Sequence, residues 1–473
     1  PSTMSKNTNS NGEHHTPPAC GRFPPASRPD EREAALARKR DFAFRFPRDP
    51  RQLGGKFSVE ENARRLLRFF YFERRLAQAI GAWTLAIPEF EVKLEAGRQI
   101  FYHADAAHAL RGRLREQEQG QTAIDEFRDA EIDRFIEELL SASDPPELLV
   151  GLHQVAGRAL ATAYRHHIDD TDPVTDAPTV RVLRRVLLDY EPMLEWAEAA
   201  IAAYAAGGID EARLAAWRWH LDRLLASIGG VTGADDRHEA PRPLRCDAKP
   251  FVRHTAPERD SRFVTFKHTG EYNVGDGRPR FPDDSYEYAR LRFLRTQRDE
   301  VDAIEAFGTF LWDIRFLDFQ AEYDLARITW DEARHTEIGH RALQAAGYEP
   351  FELANRLTGS TCRGPMEPAY AMAEINLFGE VGVIKTIGGF IDQARGEGDA
   401  LLAHVADFIR ADERTHVRKG QHIIRVMTDE GMQELEQRTR ELFTECLVSL
   451  GAVTLDMDVF TVSREDIERL VGE

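Results

Sequence analysis

Apolar residues recur every three or four positions along most of this chain, a spacing that predicts amphipathic helices. Ser58 followed by Glu61 is typical of a capping box, so a helix is expected to begin there. Further helical runs begin at Pro88 and after Asp144, and this series continues to about residue 228. A second helical series begins near residue 286. The pattern predicts an all-α fold.

The helical series are separated by stretches of different composition. The N-terminal stretch is polar and rich in Pro, Ser, Asn and Arg, whereas the middle stretch holds many prolines and glycines and a short β-prone piece at residues 262–266. We expect an irregular connector between two tandem helical bundles. The predicted regions are a disordered or loosely wrapped arm (1–56), a first bundle (57–229), the connector (230–284) and a second bundle (285–473).

One five-residue pattern occurs twice in the second series. It reads DEARH at residues 331–335 and DERTH at residues 412–416. Each copy places a carboxylate and an imidazole three residues apart, on one face of a helix. One such pair is common, but two copies within long helical runs indicate a metal site.

The positions of the predicted turns indicate whether glutamates on neighbouring helices lie at the same depth in the bundle. If Asp318 caps a helix after a chain reversal, Glu305 and Glu332 lie at the same depth in an antiparallel pair. A turn at residues 396–398 does the same for Glu380 and Glu413. Asp302, one turn from Glu305, is the second candidate there, and Glu374 faces away from Glu380. The predicted ligand set is Glu305, Glu332, His335, Glu380, Glu413 and His416.

The chemistry of this set narrows the choice of metal. Carboxylates and imidazoles suit iron or manganese better than a metal that prefers thiolates. Four glutamates buried side by side repel one another, so they require cations or protons between them.

The pattern resembles the ferritin-like di-iron carboxylate superfamily over roughly residues 286–450. The resemblance implies two iron ions, or one manganese and one iron, bridged by Glu332 and Glu413. It implies terminal ligation by Glu305 with His335 and by Glu380 with His416. It also implies that Asp331 and Asp412 each contact the histidine of the opposite helix and fix its tautomer.

The resemblance favours the oxidase and oxygenase branch, with dioxygen and a small organic molecule as substrates and no catalytic residues beyond the ligands. No Cys-x-x-Cys is present, so we expect an external electron donor instead of an internal rubredoxin-type centre. The ribonucleotide reductase small subunit usually carries its radical-forming tyrosine where this chain has Gly339. Two alternatives remain: an iron-handling ferroxidase, and a non-enzymatic scaffold with a relic site.

Residues one turn from the motifs are candidates for the wall of a pocket. Ile328 and Ile409 precede the two motif glutamates and suit a dry wall. Gly339 and Gly420 follow the two histidines, where mid-helix glycine is costly. Close helix packing explains these glycines better than a substrate cavity does.

The third helix of the second bundle contains an unusual number of glycines around Glu380. We therefore expect a mobile helix that admits metal, dioxygen or substrate. The glycines are Gly379, Gly382, Gly388 and Gly389.

The first bundle reads as a degenerate second copy of the ferritin-like bundle. Glu73 pairs in depth with His103, and His153 with Glu191, but both Glu-x-x-His pairs are missing. These four residues could hold one ion, and the alternative is a bundle retained as scaffold, interface or lid.

Composition excludes some partners. The net charge of −18 argues against nucleic acid or an anionic membrane surface as partner, and no apolar run is long enough to span a membrane. The four cysteines are far apart in sequence, so neither a disulfide framework nor a thiolate cluster is expected. We expect a cytoplasmic homodimer without a signal segment. The cysteines are Cys20, Cys246, Cys362 and Cys446.

Overall fold

The structure is a computed structural model that describes residues 30, 31, 33, 34, 53–266, 281, 282, 284–451 and 460–472. It divides into two compact units, Pro1–Gln52 and Leu53–Glu473. In the first unit the few described residues are helical, and the rest of the predicted N-terminal arm lies outside the described residues.

The first helical series begins as the sequence predicts. The Ser58 side chain accepts a hydrogen bond from the backbone N–H of Glu61, 3.2 Å away, and caps the first helix. Asp144 caps α5 in the same way. The elements are α1 (Val59–Trp83), α2 (Phe90–Glu116), α3 (Gln121–Asp125), α4 (Ala130–Leu140), α5 (Pro145–Leu149), a π-helical segment (Val150–Gly157), α6 (Arg158–Asp170), α7 (Ala177–Ala206) and α8 (Glu211–Ser227).

The second series also has the predicted turns. The Asp318 side chain accepts from the backbone N–H of Ala321 at 2.7 Å, and Gly398 has a φ of 76° in the later turn. The elements are α10 (Tyr286–Asp299), α11 (Val301–Asp313), α12 (Phe319–Ala345), a 3₁₀ turn (Pro350–Glu352), α13 (Thr358–Arg363), α14 (Pro368–Ala373), a π-helical segment (Glu374–Glu380), α15 (Val381–Gly396), α16 (Ala400–Met427), α17 (Met432–Ser449) and α18 (Arg464–Gly472). The short α9 (Arg245–Ala248) lies between the two series.

The prediction of an all-α fold is confirmed. Among the described residues, strand structure is limited to β1 (Thr265–Phe266) and β2 (Asn355–Arg356), which pair in parallel. β1 lies in the β-prone piece of the connector, so this piece pairs with the second helical series. No described helix combines the length and apolar character needed to cross a bilayer.

A single large hydrophobic core contains residues of both helical series. Helices α1 and α2 pack against α11 and α12, and a pair of glycines brings two of these helices into close approach. A Cβ on Gly81 of α1 would lie 2.5 Å from the carbonyl oxygen of Gly308 on α11. The first series is therefore built directly against the helices that carry the candidate site.

The cysteines depart from the sequence-based expectation. Cys362 on α13 and Cys446 on α17 form a disulfide with Cα atoms 5.7 Å apart, whereas Cys246 is buried and free. The two bonded residues are 84 positions apart, and the packing of α13 on α17 brings them together. Separation in sequence was therefore a poor guide to separation in space.

Candidate metal centre

The two repeated motifs lie on α12 and α16, which pack against each other. The three-residue spacing directs Glu332 and His335 from one helix, and Glu413 and His416 from the other, into the same buried space. All four side chains are at most 3% exposed. Burial of this many ionisable groups is expensive unless each finds a partner of opposite charge.

The side chains form two overlapping groups whose ligand atoms lie within 4.8 Å of one another. The first group contains Glu332, Glu380, Glu413 and His416. The second contains Glu300, His335 and Glu413. Because Glu413 belongs to both groups, the arrangement has the form of two adjacent cation sites that share a carboxylate.

Two carboxylates span the space between the histidines. Glu332 places one oxygen 3.1 Å from Nδ1 of His416 and the other 3.7 Å from Nδ1 of His335. Glu413 places its oxygens 3.4 Å and 3.7 Å from the same two nitrogens. Each carboxylate therefore presents one oxygen to each half of the centre, as a bridging ligand does.

The histidines are oriented by aspartates of the opposite helix. Nε2 of His335 lies 3.3 Å from Asp412, and Nε2 of His416 lies 3.4 Å from Asp331. In the neutral ring, a proton on Nε2 that points to a carboxylate leaves Nδ1 with a lone pair directed inward. These contacts agree with the cross-helix pairing that the resemblance implies.

Several atoms that face this space make no hydrogen bond. Nδ1 of His335, Nδ1 of His416 and one oxygen each of Glu300 and Glu380 are buried without a hydrogen-bond partner among the described residues. Buried polar groups are almost always satisfied, so a convergent set of unsatisfied nitrogen and oxygen donors is the environment that a cation completes. The donor set fits one or two ions of iron or manganese.

Protonation states in this cluster are strongly displaced. Burial and the charge of Glu413 raise the pKa of Glu380 well above its ordinary value. Burial raises the pKa of Glu300 to about 8, against the opposing contact with His335. Burial alone would raise the pKa of Glu413, but contacts with Glu380 and His416 lower it to about 2. The metal-free cluster therefore holds protons in place of cations.

The histidines hold protons as well. Burial lowers the pKa of both rings, but the surrounding carboxylates outweigh it. Asp412 and Glu300 raise the pKa of His335 well above its ordinary value, and Glu380 and Asp331 do the same for the pKa of His416. Cations that enter the cluster must displace these protons.

The structure departs from the predicted set at Glu305. Its carboxylate accepts hydrogen bonds from Lys93, from Arg259 of the connector and from Ser360 Oγ, 2.5 Å away, and it joins neither ligand group. Glu300 lies in its place, 3.2 Å from His335 Nδ1. The apolar residues of 286–316 recur at helical spacing and predict one continuous helix there, but α10 ends at Asp299 and α11 begins at Val301, so the helical phase changes at Glu300.

The two weaker candidates also lie outside the groups. The Glu374 carboxylate accepts from Arg363 Nε at 2.6 Å, and the Asp302 carboxylate lies 3.5 Å from Nη1 of the same arginine. The sequence reasoning that set Glu374 aside agrees with this placement. Asp302 is held on the α13 side of α11, as part of an ion-pair network instead of a ligand group.

The predicted wall residues are buried, and the two glycines mark close contacts. Ile328 and Ile409 are fully buried. A Cβ on Gly339 would meet the backbone nitrogen of Arg298 at 2.3 Å, and one on Gly420 would meet the Asn376 side chain at 2.0 Å. Close packing therefore accounts for both glycines, as the sequence analysis favoured.

Glu380 is presented by a π-helical segment that the periodicity did not predict. The segment Glu374–Glu380 continues directly into α15. Within it the Asn376 amide donates to the carbonyl of His416 at 3.0 Å and fixes the segment against α16. Such segments are rare and frequently lie at functional sites.

In the first helical series, Glu73 and His103 are satisfied without a cation, whereas both ring nitrogens of His153 are buried without a hydrogen-bond partner among the described residues. Glu73 accepts from Tyr190 at 2.8 Å and from Tyr164, and its second oxygen lies 2.6 Å from Nδ1 of His103. His153 is buried, on the other π-helical segment, whereas the side chain of Glu191 is exposed and pairs with Arg165. The four residues named from the sequence therefore do not converge as a set.

Comparisons with family models, with curated proteins and with solved structures found no match to this chain.

Proposed function

We propose that this chain is a di-metal carboxylate oxidoreductase that activates dioxygen and oxidises a small organic molecule, with electrons from an external donor. The observation that supports the proposal is the pair of carboxylates, Glu332 and Glu413, which each face both histidines inside a buried group of ligands. Two iron ions, or one manganese and one iron, would be held by Glu300, Glu332, His335, Glu380, Glu413 and His416.

Bound metal ions of this kind supply reductive activation of dioxygen. The chain's own contribution is to hold the ligands and to exclude water from the centre. Ile328 and Ile409 are apolar, fully buried and one turn from the two motif glutamates, so they keep this region dry. Asp331 and Asp412 hold the Nε2 protons of the two histidines and keep each Nδ1 directed at the centre.

Metal binding is expected to release protons and to strengthen as the pH rises. Glu300, whose pKa is about 8, carries a proton below that pH, and metal ions must compete with it. Affinity for Mn²⁺ should therefore be weaker at pH 6.5 than at pH 8.5. Titration calorimetry in buffers of different ionisation enthalpy measures the released protons. The control variant Glu191→Gln changes an exposed carboxylate outside the centre, so its Mn²⁺ affinity and proton release should equal those of the parent protein. Binding of Mn²⁺ without proton release would contradict the expectation.

The function itself is tested by adding dioxygen to the anaerobic, Fe²⁺-loaded protein. We expect rapid oxygen consumption and a transient visible absorption band, both absent from Glu332→Ala. A matched control is Glu337→Ala, because Glu337 lies on the same helix but pairs with Arg341 outside the centre.

Two outcomes of this experiment would contradict the proposal. Retention of a mineral core after aerobic iron loading would indicate iron storage. A protein that binds no iron under iron-replete conditions would indicate a scaffold with a relic site.

A further inference from the structure

The Cys362–Cys446 disulfide closes a loop that contains one half of the ligand set. Glu300, Glu332 and His335 precede Cys362 in the chain, whereas Glu380, Glu413 and His416 lie within the loop that the disulfide closes. The covalent bond therefore constrains the segment that supplies half of the ligands. Disulfides that close long loops restrict the chain most strongly.

Helix α13 connects the disulfide to α11 and to the segment that presents Glu380. Ser360, two residues before Cys362, donates to Glu305 on α11 at 2.5 Å. Arg363, the residue after Cys362, donates to Glu374 at 2.6 Å. Glu374 is the first residue of the π-helical segment that ends at Glu380. A chain of contacts thus runs from the disulfide through Arg363 to the segment that presents a ligand.

The two sulfur atoms differ in their surroundings. Cys362 is fully buried, in a small apolar cluster with Phe443 and Leu447, whereas Cys446 is only partly buried at the edge of that cluster. Cys446 is therefore the more accessible residue of the pair, and we take its sulfur as the point of attack. Attack there by the thiolate of a dithiol reductant forms a mixed disulfide and releases the Cys362 thiolate, which takes up a proton. The second thiol of the reductant then displaces Cys446, so two electrons and two protons reach the chain and the reductant becomes a disulfide.

We propose that the Cys362–Cys446 disulfide is a redox-controlled latch on the metal centre. In the oxidised chain the bond ties α13 to α17 and, through Arg363 and Glu374, holds the π-helical segment and Glu380 in place. In the reduced chain α13 is released, the segment opens more often, and metal ions exchange faster. This inference deepens the proposed function and rests on the same ligand set.

Metal exchange tests the latch directly. The full chain is loaded with Co²⁺ in oxidised form or after reduction by a phosphine and removal of the reductant, and release to excess chelator is followed. We expect release at least ten-fold faster from the reduced chain. Cys446→Ser should release at the fast rate under both conditions. Cys246→Ser, which removes the buried free thiol, should behave as the parent protein.

Hydrogen exchange provides a readout that needs no metal. Reduction should speed amide exchange across Glu374–Glu380 while the core of α12 stays protected. Equal exchange of the segment in both redox states would overturn the latch, as would Co²⁺ release at one rate regardless of redox state. A chain that binds no Co²⁺ but shows redox-dependent exchange of the segment would retain the latch and reject the proposed function.

Discussion

Replacing Glu413 with alanine is expected to abolish binding of both metal ions. Glu413 is the residue that belongs to both ligand groups, and its two oxygens face the two histidines. Loss of contacts outside the ligand set commonly weakens metal binding about 10–100-fold, so loss of a shared ligand should exceed this range. Metal analysis after gel filtration should give two ions per chain for the parent protein and none for the variant.

Two further variants test whether the loss of both ions is specific to the shared ligand. Asp407→Ala, on the same helix but paired with Arg410 outside the centre, should retain both ions. Glu300→Ala should retain one ion because Glu300 belongs to a single group. Retention of two ions by Glu413→Ala would show that this carboxylate is not shared and would remove the main support for a di-metal centre.

The sequence predicted those parts of the centre that depend on local helical geometry. The Glu-x-x-His spacing fixes which faces of α12 and α16 carry ligands, and the capping residue Asp318 locates the turn that makes α11 and α12 antiparallel. Five of the six predicted ligand residues consequently lie together in the two groups. The contacts of Asp331 and Asp412 with the histidines of the opposite helix were implied by the family resemblance and not by periodicity.

Glu300 was missed as the sixth ligand because contacts with other helices, and not the local sequence, break the helix there. The sequence around Glu300 contains no proline or glycine, so periodicity alone favoured a continuous helix. In the fold, Gly339 of α12 lies directly against the backbone of Gln297 and Arg298, near the break. Residues 300 and 305 are about 140° apart around an ideal helix, so Glu305 points toward α2 and the connector instead.

Features that join distant segments were also beyond the reach of sequence periodicity. The π-helical segment at Glu374–Glu380 has an apolar spacing that an ordinary helix would show as well. The disulfide depends on contact between α13 and α17 across 84 residues. The shared core between the two helical series depends on pairs such as Gly81 and Gly308, whose closeness no local pattern reveals.

The buried position of Glu305 leads to the second large expected effect, which concerns stability. Glu305 is the carboxylate that pairs with both Lys93 and Arg259, whose side chains are 1% and 5% exposed. Glu305→Ala would leave two buried cations without this partner. Removal of one member of a buried ion pair costs about 3–5 kcal/mol, so the free energy of unfolding should fall by about that amount at pH 7. Denaturant-induced unfolding followed by circular dichroism measures the change.

The direction in which the stability of Glu305→Ala changes with pH follows from the titration of Lys93. Burial lowers the pKa of Lys93 to about 8 even with Glu305 present, and loss of the carboxylate lowers that pKa further. Between that lowered pKa and about pH 10, Lys93 is protonated in the unfolded chain but not in the folded chain, so the stability of Glu305→Ala should rise with pH over this range. Glu91→Ala, which breaks the exposed pair with Arg262, should cost at most about 1 kcal/mol. If Glu305→Ala costs no more than Glu91→Ala and instead loses both metal ions, Glu305 is a ligand, as the sequence pattern first indicated.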